Sequence, residues 1–211
     1  MDADTFLTRV RTELMAVTSP ALPDRLPATP ASGDGRLFDR FAEELEKAGG
    51  AARWVNRQDL AAEIYEIASS VGAASAVVTA DTAEFRERID RGLADAQCVG
   101  SEVTREAAAS ADLGITGAVA GVCSTGSVLV RATPDSPRVA SLLPPTHVAI
   151  LHEAALLPGF EELFAGMQEH LSGANAAVLI TGPSRTTDIE LTLVRGVHGP
   201  KRMTALVVRG E

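Results

Sequence analysis

The sequence predicts an α/β fold, and three observations point to it. Hydrophobic residues make up 45% of the chain but aromatic ones only 4%. Ala, Val and Leu dominate, which suits helices packed on a buried sheet better than an aromatic-rich sandwich. From Leu37 onward, helical and extended segments alternate, the order that parallel strands with right-handed crossovers require. At 211 residues the chain can bury a substantial core in one large domain, or in one domain with a small appended lobe.

Residues 5–17 place Phe6, Leu7, Val10, Leu14 and Val17 at helical spacing, an amphipathic helix. Residues 18–36, TSPALPDRLPATPASGDGR, hold four prolines and little periodicity, so they read as an extended linker or wrapping arm. This composition shift divides the chain into an N-terminal helix and arm over 1–36 and an α/β domain over 37–211. LFDRFAEELEKAGG sets Phe38, Phe41 and Leu45 on one helical face and stops at Gly49-Gly50. AARWV follows as a strand, Asn56 is placed to cap a helix from Asp59 to Ser70, and SAVVTA (75–80) is the next strand.

Helical segments near 82–91 and 101–110 come next. Gly114, Gly117, Gly121 and Gly126 then separate two apolar runs, 118–122 and 128–130, so two strands meet around a turn at Ser124-Thr125-Gly126. PDSPRVASLLPP reads as a loop with a short extended segment and HVAIL (147–151) as a buried strand. PGFEELFAGMQEHLSG (158–173) is a helix closed by Gly173, AAVLITG a further strand, and MTALVV (203–208) the last.

A net charge of −9 and the absence of a Lys/Arg run argue against nucleic acid and anionic membrane surfaces as partners. A small anion remains compatible, because one Arg at a helix N-terminus can hold a carboxylate or phosphate. Cys98 and Cys123 are the only cysteines, too few for a four-cysteine zinc or iron–sulfur site within one chain. The opening MDADTFLTRV lacks the basic-then-apolar pattern of a secretory signal, and no segment offers 18 uninterrupted apolar residues. The expectation is a soluble cytoplasmic protein with free thiols, no metal and no membrane span.

Chemistry-bearing residues gather at strand ends, where open α/β sheets bind ligands. In TGPSRTTDIE, Thr187 and Glu190 form a capping-box pattern, so a helix is expected to start there. Ser184, Arg185 and Thr186 precede the cap, where an anion would sit, and Asp188 occupies the favourable first turn. In CSTGS, Cys123 reads as a small buried filler, since no GxSxG nucleophile pattern surrounds it. The hydroxyls of Ser124, Thr125 and Ser127 divide between local turn bonds and ligand contact. His147, at a strand start, is either a ligand-facing acid or base or a satisfied half-buried histidine. His152 faces the other side of that strand, His198 in RGVHGP is a surface-loop or site residue, and His170 reads as a helix-end cation.

GITGAVAGVCSTGSVLV, SLLPPTHVAIL and ITGPSRTTDIELTLVRGVHGPKRM together resemble the LUD-domain proteins, in the lactate-utilisation protein C branch, over roughly residues 37–210. The resemblance implies a three-layer α/β/α fold with a mostly parallel sheet, related to the sugar-phosphate isomerase and coenzyme A transferase superfamily. It also implies oxidation of L-lactate to pyruvate with two partner proteins, at least one carrying iron–sulfur clusters. Carried over by motif, the shared surface comprises Thr125, Gly126, Ser127, Ser141, Pro144, His147, Ser184, Arg185, Thr186, Asp188, Glu190, His198 and Gly199. Ser124 stands where relatives commonly show an acidic residue before Thr-Gly, which removes a carboxylate that transferase chemistry would use.

The leading expectation is therefore a subunit of a lactate-oxidising system that binds a small carboxylate or a partner's cofactor. Arg185 would pair with the carboxylate, Ser184 and Thr125 would orient it, and His147 or His198 would move a proton. The cofactor expectation is none held by this chain alone, with iron–sulfur clusters in the partner proteins. Two other readings stand beside it. One is a stand-alone enzyme on a phosphorylated sugar or acyl thioester, and the other is a non-catalytic assembly protein that docks partners through residues 18–36.

Overall fold

The computed structural model describes residues 3–16, 36–94, 96–99, 103–186, 194–195 and 198–210. Helix α1 (Ala3–Ala16) exposes Phe6 and Leu7. The expected arm over 18–36 lies outside the described residues except for Arg36. Helix α2 (Leu37–Lys47) buries Phe41 and Leu45, four apart on one face. It stops through Gly49 at φ 84°, and the Gly50 N–H donates to the Leu45 carbonyl at 2.9 Å, a left-handed C-terminal closure.

Strand β1 (Ala51–Val55) follows. Helix α3 (Leu60–Val71) is not capped by Asn56, contrary to expectation. The Asn56 amide instead donates to the Asp59 carboxylate at 2.9 Å, so a turn over 57–59 intervenes. Strand β2 (Ser75–Val78) leads through a 3-10 turn (Ala80–Phe85) into helix α4 (Arg86–Gly92). Strand β3 (Gln97–Val99) precedes helix α5 (Arg105–Ser110), whose N-cap Thr104 accepts from the Ala107 N–H at 3.1 Å.

Strand β4 (Leu113–Gly117) is buried in the sheet, where the sequence showed only glycines separating apolar runs. Gly114 belongs there because a Cβ would lie 2.0 Å from the Ala140 carbonyl oxygen. The backbone of the following helix therefore packs directly on this strand. Strands β5 (Ala120–Val122) and β6 (Ser127–Ala132) form the expected antiparallel hairpin. Helix α6 (Val139–Leu142) replaces the extended segment expected in PDSPRVASLLPP; four residues are too few to carry a helical period.

Strands β7 (Thr146–His152) and β8 (Leu156–Leu157) come next. The helix expected over 158–173 is two, α7 (Phe160–Ala165) and α8 (Met167–His170), broken at Gly166 against the His170 ring. Strands β9 (Ala176–Ile180), β10 (Arg185–Thr186), β11 (Val194–Arg195) and β12 (Arg202–Val208) complete the chain.

Six strands form an all-parallel sheet in the order β1-β12-β7-β4-β2-β3. One face is covered by α3 and α4, with Leu60, Ile64 and Ile89 against Ile115, Val148 and Ile150. The alternate residues Ala149 and Leu151 face the other way, toward Phe41 and Leu45 of α2 and Cys123 and Val128 beyond. This places helical layers around a parallel sheet, as expected. The outer layer on the α2 side also holds a second sheet, β8-β5-β6-β9, in which β6 runs antiparallel to both β5 and β9. AAVLITG thus pairs outside the main sheet, which its apolar run alone does not reveal. No helix among the described residues is long and apolar enough to cross a membrane.

Candidate functional site

His147 is the second residue of β7, paired with Met203 of β12 and Gly114 of β4. Central position in the parallel sheet buries it completely. Its Nε2 lies 2.9 Å from the Thr116 hydroxyl, and its Nδ1 has no hydrogen-bond partner among the described residues. Burial pushes its pKa down from 6.5 to about 4, so the ring is neutral at physiological pH. A buried ring nitrogen without a partner is unusual, because the missing bond costs about 1–3 kcal/mol.

His147 lines a recess of about 220 Å³ shared by Ser141, Thr181, Ser184 and His198. Three segments far apart in sequence therefore meet: SLLPPTH, the end of β9, and the loop before β12. Backbone bonds hold them together. The Ser184 N–H donates to the Pro200 carbonyl at 2.9 Å and the Lys201 N–H to Pro145 at 2.8 Å. Gly199 seats closely, since a Cβ there would fall 3.1 Å from the Ser184 Cβ. Met203 and the side of β9 from Val178 to Ile180 supply apolar wall. The recess lies at the amino ends of β7 and β12, not at the carboxyl ends where ligands were expected. The second sheet brings the carboxyl end of β9 there.

The other anticipated residues are placed as follows. Thr125 and Ser127 do not line the recess but join it through hydroxyls: Thr125 Oγ1 to Ser127 Oγ at 2.7 Å, and Ser127 Oγ to Thr181 Oγ1 at 2.6 Å. Gly126 turns at φ 63° against the backbone of α2. Ser141 is buried, with its hydroxyl donating to the Arg138 carbonyl at 2.9 Å. Pro144 packs on Gly114, and half-buried Ser124 donates its N–H to the Pro158 carbonyl at 3.1 Å.

Arg185, expected to face an anion ahead of a helix, lies on β10. Its backbone pairs with Arg195 in the β10–β11 ladder, and its exposed guanidinium reaches the Lys47 carbonyl at 3.4 Å. A cation at the C-terminal end of α2 is the ordinary helix-dipole arrangement. Thr186 pairs through its backbone with Val194. Thr187, Asp188 and Glu190, with the capped helix expected from Thr187, lie outside the described residues.

Sequence reasoning missed Thr116 and Thr181. Thr181 continues the β9 alternation by one residue, and Thr116 sits on the strand that the glycines concealed. Cys123 is fully buried in the α2-side core, and burial pushes its thiol up to about 11, which makes it a filler and a poor nucleophile. Peptide mapping after iodoacetamide treatment of the native protein at pH 8 is expected to find Cys123 unmodified. Among the described residues no three His, Cys, Asp or Glu side chains gather as a metal-ligand group.

The architecture defines an α/β protein whose parallel sheet carries a recess of hydroxyls and histidines at the amino ends of its middle strands. The chain belongs to the LUD domain family, whose model matches residues 38–208. Lactate utilization protein C of Exiguobacterium sp. is 37% identical over 111 residues, which are 51% of this chain and 48% of that relative. The protein of the same name from Oceanobacillus iheyensis is 32% identical over 129 residues, 59% and 54% of the two chains. An uncharacterized protein of Neisseria meningitidis is 36% identical over 98 residues, 46% and 42% of the two. The chain spans about half the length of the curated relatives it matches. In fold it is similar to the crystal structure of a DUF162 family protein from Deinococcus radiodurans, with a TM-score of 0.59 at 20% identity, covering 82% of this chain and 96% of that one.

Proposed function

We propose that this chain serves lactate utilisation and that the recess beside His147 holds a small hydroxy or oxo acid. The observation that carries the proposal is the buried, unpartnered Nδ1 of a neutral His147 at the meeting point of three loops. A neutral imidazole can bond a substrate hydroxyl or carbonyl without placing a second charge in the site. The hydroxyls of Thr181 and Ser184 and the exposed His198 at the rim receive the carboxylate. The names of the curated relatives support the substrate class.

Oxidation of L-lactate to pyruvate releases two electrons and two protons. This chain has two cysteines, too few for a four-cysteine cluster, so the two electrons would have to pass to an acceptor on a partner protein, for which iron–sulfur clusters are the expectation. His147 would orient the substrate hydroxyl through Nδ1, and the two protons would pass to water or through the exposed His198 at the rim. The protein is expected to melt at higher temperature with lactate or pyruvate present, since a ligand of the folded state stabilises it by mass action. Ser184→Ala is expected to weaken that shift while leaving the unliganded melting temperature within a degree or two. No shift with either acid would remove the proposal.

A further inference from the structure

Three arginines line one recess at the end of the sheet opposite the His147 recess. Arg57 follows β1, Arg88 lies on α4 and Arg209 follows β12, and with Asn56 and Gln58 they line a second recess of about 320 Å³. Strands β1 and β12 are parallel neighbours, so this hollow lies beyond their carboxyl ends, where open α/β sheets bind ligands.

Two of the three arginines stack on aromatic rings. The Arg57 guanidinium lies 5.2 Å from the Phe85 ring centre and that of Arg209 4.6 Å from Trp54. Such stacking fixes a guanidinium; the N–H edge of Arg57 is turned to Glu84, whose carbonyl takes a bond from its Nη2 at 3.4 Å, while that of Arg209 stays available. The Glu84 carboxylate comes within 3.6 Å of Arg57, but it also binds His152 at 2.6 Å. Asp59, the acid on the β1 side, takes its hydrogen bond from Asn56, and Glu153 accepts from the Gly210 N–H at 3.4 Å. Among the described residues no carboxylate pairs with half-buried Arg88 or with Arg209. Three arginines thus line one concavity in a chain of net charge −9, and among the described residues Glu84, on Arg57, is the carboxylate that an ion pair brings to them.

We infer that this recess is an anion site for the diphosphate group of a small molecule, separate from the His147 recess. Arginine forks match the paired oxygens of phosphate. Three of them exceed what one carboxylate can engage, whereas a diphosphate presents enough charge and oxygens for all three. The Asn56 and Gln58 amides add neutral donors at the rim.

Calorimetric titration of the full chain with inorganic pyrophosphate at low salt tests the inference. The expected result is one saturable site that weakens as salt is added. Arg88→Gln and Arg209→Gln are each expected to weaken it about tenfold, with His147→Leu leaving it unchanged. Arg88 has no partner to lose, so Arg88→Gln is expected to melt like the parent, and a weaker site in that variant is a binding effect. ADP binding tighter than pyrophosphate assigns the diphosphate to a nucleotide, and weaker binding assigns it to the free anion; both uphold the site. Absence of saturable binding, or binding that survives both substitutions, overturns it. Citrate binding as tightly as pyrophosphate overturns the phosphoryl assignment.

Discussion

Gly126→Ala is expected to destabilise the protein by about 4 kcal/mol, read as a lower denaturant midpoint at unchanged slope. Two effects add at this position. Its φ of 63° is a conformation that alanine rarely adopts, and an added Cβ would lie 2.1 Å from the Leu45 nitrogen and 2.5 Å from the Leu45 Cα. Those atoms belong to the backbone of α2, which cannot move aside without dragging Phe41 and Leu45 out of the core. Gly72→Ala separates the two effects. Gly72 has the same φ of 63° but nothing within 4 Å of its Cβ position, so about 1 kcal/mol is expected there. Gly126 sits beside hydroxyls proposed to join the ligand site, yet its expected contribution is to seat the β5–β6 turn on α2.

His147→Leu is expected to abolish small-acid binding while changing stability at pH 7 by no more than about 1 kcal/mol. Leucine removes the unpartnered Nδ1 and leaves only the Thr116 hydroxyl without its partner. The pH dependence provides the check on structure. The folded-state pKa of His147 is pushed down to about 4 from 6.5. Between those values the unfolded chain takes up a proton at this position and the folded chain does not. Stability therefore falls as pH drops through that window, by about 3 kcal/mol from this residue. Urea titrations from pH 7 to pH 4 are expected to show His147→Leu losing less stability than the parent. Equal losses would place the His147 ring in contact with water in the folded protein.

Periodicity made most helices and four of the six strands of the parallel sheet legible, all but β3 and β4, because an apolar face at spacing four or an unbroken apolar run leaves few alternatives. Phe41 and Leu45 on α2, and the HVAIL run of β7, are of this kind. The failures share a cause: the deciding contact lies far away in sequence. Gly114 and Gly117 resemble punctuation until Ala140 and Asp81 are known to press on β4. Apolar character alone could not tell that β9 pairs with β6 and leaves the parallel sheet.

For the site, residue types and positions singled out His147 and Ser184 at strand ends and His198 in a loop, and the resemblance added Ser141 and placed them on one surface. Their convergence needed the fold, since Ser141 and His198 are brought together only by parallel pairing of β7 and β12 and the return of β9. The contact made by Arg185 is not legible in the same way, since an arginine beside Ser and Thr reads as an anion site. The nearby C-terminal end of α2, which takes its guanidinium, cannot be seen from local sequence.

The most direct test of the His147 recess is 15N NMR of the histidine-labelled protein during titration with pyruvate. The chain has four histidines, and the resonance missing in His147→Leu assigns the buried ring. The expected result is a saturable shift of the His147 Nδ1 signal in step with the rise in melting temperature, with a smaller change at His198 and none at His152 or His170. A rise in melting temperature that leaves the His147 signal in place would contradict the proposed site, because the acid would then be bound elsewhere.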